Sequence, residues 1–248
     1  MPDALHLTVL LAAAFLGGTL NAVAGGGSFL TLPALVFSGL PAVSANATGT
    51  VALLPGYVSS AIGFRHDIER LPGLSLPALG ALSVVGGAIG AWLLTVTGDQ
   101  TFRTLVPWLL LVATALFAFG PHLLRALRGS SAGPLASGVG VLAVGVYGGY
   151  FNGGLGIVLL ALFGLLGQTR LNAMNGLKNL VSALLTAIAV LVYAWGGLVA
   201  WPQALLMMVA ATAGGYFGAR VARRIPAPWL RGGIVATGLV MSALFFAR

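Results

Sequence analysis

Long apolar stretches alternate with short polar gaps along this chain, and at this length such stretches read as membrane helices. Ten segments result: about Leu5–Val23, Ser28–Leu40, Asn46–Phe64, Leu74–Val96 and Phe102–Gly120, then Pro134–Phe151, Leu155–Gly167, Ala173–Ala194, Pro202–Val221 and Trp229–Ala247. The second and seventh are too short to cross a bilayer unaided, since about 13 residues make roughly 20 Å of helix against a hydrocarbon core of about 30 Å. Short pieces of this kind are broken or re-entrant helices, whose exposed backbone must be buried in protein or line a wet cavity.

The segments repeat. A shift of 127 residues places Gly26 and Gly27 on Gly153 and Gly154, Gly49 on Gly176 and Leu53 on Leu180. A shift of 128 places Gly86, Gly90 and Arg103 on Gly214, Gly218 and Arg231. The expected organisation is a first transmembrane repeat over 1–120, a cytoplasmic linker over 121–133 and a second repeat over 134–248, about five helices in each. The loop after the third segment carries Arg65, His66, Asp67, Glu69 and Arg70 in the first copy, and no charge between Trp195 and Pro202 in the second. The loop after the fourth segment reverses the bias: Asp99 and Arg103 in the first copy, Arg220, Arg223, Arg224 and Arg231 in the second. Cytoplasmic loops collect Lys and Arg, so equivalent loops fall on opposite sides and the two repeats are expected to be inverted. Counting each short segment as one crossing gives five plus five, with both termini outside the cytoplasm. An eight-crossing arrangement with two re-entrant loops is the alternative. Inverted repeats with paired short, glycine-interrupted segments are the usual build of secondary transporters, with the substrate near the midplane.

Composition agrees. Of 248 residues, 58% are hydrophobic and 6% charged, with a mean hydropathy of +1.02, whereas a soluble domain carries about 25% charged residues. An ordinary soluble enzyme is therefore excluded. The absence of cysteine removes disulfides, thiolate nucleophiles and cysteine metal sites. The net charge of +8 comes from arginines at the ends of apolar runs, where they orient the chain in lipid; nucleic acid is not an expected partner. At the N-terminus Ala22-Val23-Ala24 mimics a signal-peptide cleavage site. Asp3 and His6 stand where a positive flank belongs, however, and the segment has a mid-chain counterpart, so it reads as a retained first span.

Small polar residues gather around the two short segments. In the first copy Asn21, Gly25, Gly26, Gly27 and Ser28 precede the short helix and Asn46, Thr48 and Thr50 follow it; in the second Asn152, Gly153 and Gly154 precede it and Asn172, Asn175, Lys178 and Asn179 follow. Glycines opening a helix leave free N–H groups at the positive end of its dipole, which attracts anions. Two such ends facing each other would cradle a small oxyanion, with Asn, Ser and Thr as side-chain donors. The competing reading is that the glycines permit close helix approach and the asparagines cap helix ends.

Lys178 is the only lysine and the only ionisable group well inside an apolar run. It follows Arg170 by eight residues, about 12 Å of helix, beyond easy snorkelling reach. It reads as an anion-binding or coupling residue, with a snorkelling or carbonyl-capping lysine as the alternatives. All four acids, Asp3, Asp67, Glu69 and Asp99, lie at expected loops or the terminus, which leaves no buried carboxylate relay; a coupled proton would ride on the substrate or on Lys178. His6, His66 and His122 sit at span ends. The matching runs Gly86 to Gly90 and Gly214 to Gly218 are small-xxx-small faces that let helices cross closely.

These residues resemble a known family. The stretch from Gly17-Gly18 through Asn21 to Ser28, that from Leu40-Pro41 through Ser44 to Thr48, Gly63-Phe64-Arg65, and Gly218 through Arg223-Arg224-Ile225-Pro226 together look like the sulfite exporter TauE/SafE family of bacterial membrane permeases. The resemblance spans nearly the whole chain. It implies an all-α, multi-pass transporter of the bacterial inner membrane that moves sulfite, related sulfur oxyanions or organosulfonates, with no cofactor or metal and no enzymatic role. Its implied partners are a small anionic substrate and the lipid bilayer. An anion channel or a non-transporting membrane subunit is the rival reading. An intramembrane enzyme would need an HExxH motif, a carboxylate pair or a Ser/His/Asp set at depth, and the sequence offers none of these. In the second copy Lys178 and Asn179 stand where the first has Val51 and Ala52, so the two half-sites are unequal.

Overall fold

A computed structural model describes residues 4–71, 73–126, 133–222 and 227–246. Among the described residues ten helices follow one another: α1 (Ala4–Ala24), α2 (Ser28–Phe37), α3 (Ala42–Gly63), α4 (Leu76–Val96), α5 (Asp99–Ala126), α6 (Pro134–Tyr150), α7 (Leu155–Leu165), α8 (Leu171–Trp195), α9 (Trp201–Ala222) and α10 (Ala227–Phe246). Among the described residues three spans, Ala4–Ala22, Leu76–Val96 and Asn172–Trp195, are long and apolar enough to cross a membrane.

Local chemistry sets the boundaries. The Ser75 hydroxyl caps α4 by accepting the Ala78 N–H at 3.4 Å, with Pro77 in the first turn where its missing N–H costs nothing. Pro134 opens α6 in the same way. Pro41 precedes α3, so that helix starts at Ala42 and draws Ser44 into its first turns, four residues earlier than the apolar pattern suggests. Helix α5 continues past Gly120 to Ala126, so residues 121–126 of the expected linker are helical; Leu123, Leu124 and Ala126 favour that conformation. Asp3, Arg223, Arg224 and residues 127–132 of the expected linker lie outside the described residues.

The two short helices fold back on their predecessors. A Cβ on Gly17 would lie 3.1 Å from the Thr31 side chain, and the His6 and Phe37 rings are 5.4 Å apart, so α2 returns along α1 from the depth of Asn21 to that of His6. Helix α7 returns along α6 likewise, with Gly148 against Leu155 and Gly140 against Leu162. Each half therefore opens with a helical hairpin.

Packing between elements comes in matched pairs. Helix α1 lies on α9 and α6 on α4; α3 lies on α9 and α8 on α4; α2 touches α10 and α7 touches α5; α3 meets α8 and α5 meets α10. The α1/α9 and α4/α6 crossings are backbone to backbone. Gly18 rests on Ala211 and Gly214 on Phe15, while a Cβ on Gly86 would sit 2.7 Å from the Leu142 carbonyl oxygen. The small-residue runs are thus packing faces, as their spacing suggests.

Loops sort to two ends of the bundle. At one end the Ser44 hydroxyl donates to the Leu198 carbonyl oxygen at 2.7 Å, the Ala200 N–H to the Thr48 hydroxyl at 3.0 Å, and the Val43 N–H to Asp99 Oδ1 at 3.1 Å. At the other, Arg170 pairs with Glu69, Gly176 packs against Phe64 and Ile68, and Gly73 against Pro134. Helices α3 and α8 accordingly run antiparallel.

Candidate functional site

The tips of the two hairpins, residues 24–28 and 151–156, meet in the interior. A Cβ on Gly25 would lie 2.6 Å from the Gly156 Cα, and the Ser28 hydroxyl donates to the Asn152 carbonyl oxygen at 3.3 Å. Both turns need glycine. Gly25, at φ +78°, lets the chain leave α1, and Gly154, at φ +68°, starts α7. Gly26, Gly27 and Gly153 complete the buried turns.

Tyrosines from neighbouring helices pin these turns. The Tyr57 hydroxyl donates to Asn152 Oδ1 at 3.2 Å and also faces the Asn21 side chain. The Tyr147 hydroxyl donates to the Gly153 carbonyl oxygen at 2.6 Å, and that of Tyr193 to the carbonyl of Gly149. These bonds consume carbonyl acceptors at the second tip and leave donors uncommitted. In α2 the first backbone amide with a carbonyl partner within the helix is Phe29, bound to Gly26, and in α7 it is Ile157, bound to Gly154, so the amides ahead of them carry the open N–H groups of any helix start. Asn152 Nδ2, a further donor, and Asn21 Oδ1 are buried without a partner among the described residues. A buried junction of two positive helix ends with spare donors suits a small anion better than a cation.

Several residues singled out by sequence make hydrogen bonds within the bundle. Asn46 donates through Nδ2 to the Tyr150 carbonyl oxygen at 3.0 Å, which supports the second tip from behind. The Thr50 hydroxyl returns to the Asn46 carbonyl at 2.8 Å, and Thr48 holds the loop ahead of α9 through the Ala200 N–H. Asn172 is exposed near the Arg170 end and Asn175 is half-buried, whereas Asn179 is buried farther along α8. Lys178 is only 2% exposed, and among the described residues it has neither an acidic nor a hydrogen-bonding partner. Tyr57, Tyr147 and Tyr193 were not foreseen. Their signal was available, because a tyrosine within an apolar helix must find a partner for its hydroxyl.

Among the described residues, ten helices pack around a buried, donor-rich meeting of two helix hairpins, and several of them are long and apolar enough to cross a membrane, as in a multi-pass membrane protein. The chain belongs to the sulfite exporter TauE/SafE family, which it matches over residues 10–245. It is similar to the "Probable membrane transporter protein YfcA" of Escherichia coli (strain K12), 29% identical over an alignment that covers 98% of this chain and 90% of the relative. It also resembles the "Probable membrane transporter protein ORF9" of Sinorhizobium sp, 28% identical over 87% of this chain and 83% of the relative. A "Probable membrane transporter protein" of Haemophilus influenzae is 27% identical over 96% of this chain and 93% of its own length. No solved structure matches the chain.

Proposed function

We propose that this protein carries sulfite, or a related sulfur oxyanion or organosulfonate, across the bacterial inner membrane by alternating access, with the anion held between the two hairpin tips. The observation that carries the reading is the contact of the Ser28 hydroxyl with Asn152 across the meeting tips, beside open helix-start amides and the unpartnered Asn152 Nδ2. Helix N–H groups and amide donors in a low-dielectric interior attract an oxyanion strongly without a covalent step. Lys178 supplies the compensating positive charge in the same half of the molecule.

The alternating-access element of the reading rests on two inverted halves. It is supported by the matched packing, in which exchanging α1–α5 for α6–α10 preserves the main helix pairs, and by α3 and α8 running in opposite directions. Inverted halves provide two arrangements of equal architecture, one open to each side, around a fixed central site.

The test is sulfite-driven counterflow into vesicles reconstituted with the purified protein, accompanied by thermal-shift titration with sulfite, sulfate, methanesulfonate and chloride. Saturable exchange and a midpoint that rises with sulfite or methanesulfonate support the carrier, because a ligand bound only by the folded state stabilises it. High single-channel conductance without exchange would establish the channel reading instead.

A further inference from the structure

Helix α8 carries a line of buried polar side chains that the tips do not use. Lys178, Ser182 and Thr186 follow at intervals of four residues, which places them along one side of the helix. Lys178 is 2% exposed and the two hydroxyl residues are fully buried. The Ser182 and Thr186 hydroxyls have no hydrogen-bond partner among the described residues. The Thr31, Thr114 and Ser137 hydroxyls are likewise buried without a partner among the described residues, but each stands alone on its helix, whereas Ser182 and Thr186 are neighbours on one face. Thr8, Thr19, Thr50, Ser83, Thr97, Thr104, Thr212 and Ser242 all return their hydroxyls to the carbonyl four residues back. In a membrane helix that local bond is the default satisfaction of a hydroxyl, so two neighbouring exceptions in line with an unpaired ammonium call for another partner.

The line has a direction. Lys178 lies about 12 Å along α8 from Arg170, and Thr186 about 12 Å farther. At that farther depth Leu185 packs on Gly148 and the Tyr193 hydroxyl reaches Gly149, next to the second tip. At the opposite end of the bundle the Ser44, Thr48 and Val43 hydrogen bonds join the start of α3 to Leu198, Ala200 and Asp99. A shift of 127 puts Val51, Pro55 and Ser59 of the first half where Lys178, Ser182 and Thr186 stand, so the line belongs to the second half alone.

We propose that this face of α8 is a one-sided anion path, along which a small oxyanion passes from the Arg170 end, by way of the Lys178 ammonium and the Ser182 and Thr186 hydroxyls, to the hairpin tips. The proposal rests on the anion-carrier reading above and adds to it the route and the side of access.

The natural chain contains no cysteine, so single cysteines can be labelled without background. Ser182→Cys and Thr186→Cys are prepared in inside-out and right-side-out vesicles and exposed to the membrane-impermeant anion 2-sulfonatoethyl methanethiosulfonate. Thr169→Cys marks the Arg170 end, Gly98→Cys the opposite end, and Leu177→Cys the apolar face of α8. The expected result is modification of both test positions in the vesicle orientation that exposes Thr169→Cys, with Leu177→Cys unreactive. Adding Lys178→Gln should slow the reaction about tenfold, because a fixed charge concentrates an anionic reagent. The proposal is overturned if both test positions stay unreactive while Thr169→Cys reacts, if they label from the Gly98 end, or if Lys178→Gln leaves the rate unchanged. Sulfite counterflow measured on the same vesicles separates the two ideas: labelling without counterflow sinks the carrier and keeps the path, and counterflow without labelling does the reverse.

Discussion

The Tyr57 hydroxyl donates to Asn152 Oδ1 at 3.2 Å, a bond between the third helix of one half and the hairpin tip of the other. It fixes the Asn152 amide so that its oxygen is occupied and its Nδ2 is presented unpartnered. Orientation of the donor therefore comes from a helix that is remote in sequence.

That bond should be measurable by a double-mutant cycle. Tyr57→Phe and Asn152→Ala are each expected to lower stability by about 1–2 kcal/mol, since each leaves a buried polar group without its partner. The double variant should lose less than the sum, with a coupling of about 1 kcal/mol from thermal or denaturant unfolding in detergent. Strict additivity would show that the two groups do not interact.

Lys178 should separate stability from transport. An unpaired buried ammonium is costly, so Lys178→Met is expected to raise the thermal midpoint while sulfite flux falls at least about tenfold, in the pattern of a functional site held at the expense of stability. Lys178→Met with native flux in reconstituted vesicles would remove the residue from the anion path.

At the tips, Gly25→Ala and Gly26→Val address the close approach of backbone. Gly25 has positive φ and Gly156 at 2.6 Å from its would-be Cβ, so Gly25→Ala should cost about 1–3 kcal/mol and abolish the sulfite-dependent thermal shift. Gly26→Val should weaken the shift through blocked approach of the anion to the amides. A full shift in both variants would leave these glycines as packing devices.

Helix crossings supply a contrast. Gly18→Leu forces a side chain into the Ala211 backbone and should reduce folded yield sharply, whereas Gly63→Ala, with nothing within 4 Å, should change stability by no more than about 0.5 kcal/mol. Fluorescence-detected size-exclusion profiles after heating report both.

The exposed Arg170 and Glu69 pair should matter little to the fold. Exposed ion pairs contribute about 0–1 kcal/mol and are screened by salt, so Glu69→Gln should leave the thermal midpoint unchanged within about 2 °C at 0.3 M salt. A larger loss would mean that the pair holds the loop ahead of α4 in place.

By itself the sequence determined the ten apolar segments, the shortness of the second and seventh, and the glycine and asparagine clusters around them, because lipid imposes uniform apolarity and helix length on any spanning segment. The packing of Gly86 and Gly214 was legible for the same reason, as small residues at fixed spacing mark a crossing. What only tertiary structure decided is which polar groups remain free. Asn46, Thr48 and Thr50 read as site residues and are bonded to Tyr150, Ala200 and Asn46, while Ser182 and Thr186, unremarkable in sequence, have no partner among the described residues. For Asn46 and Thr48 hydrogen-bond satisfaction is settled by neighbours more than a hundred residues away, and a one-dimensional pattern carries only the inventory of donors and acceptors, not their pairing.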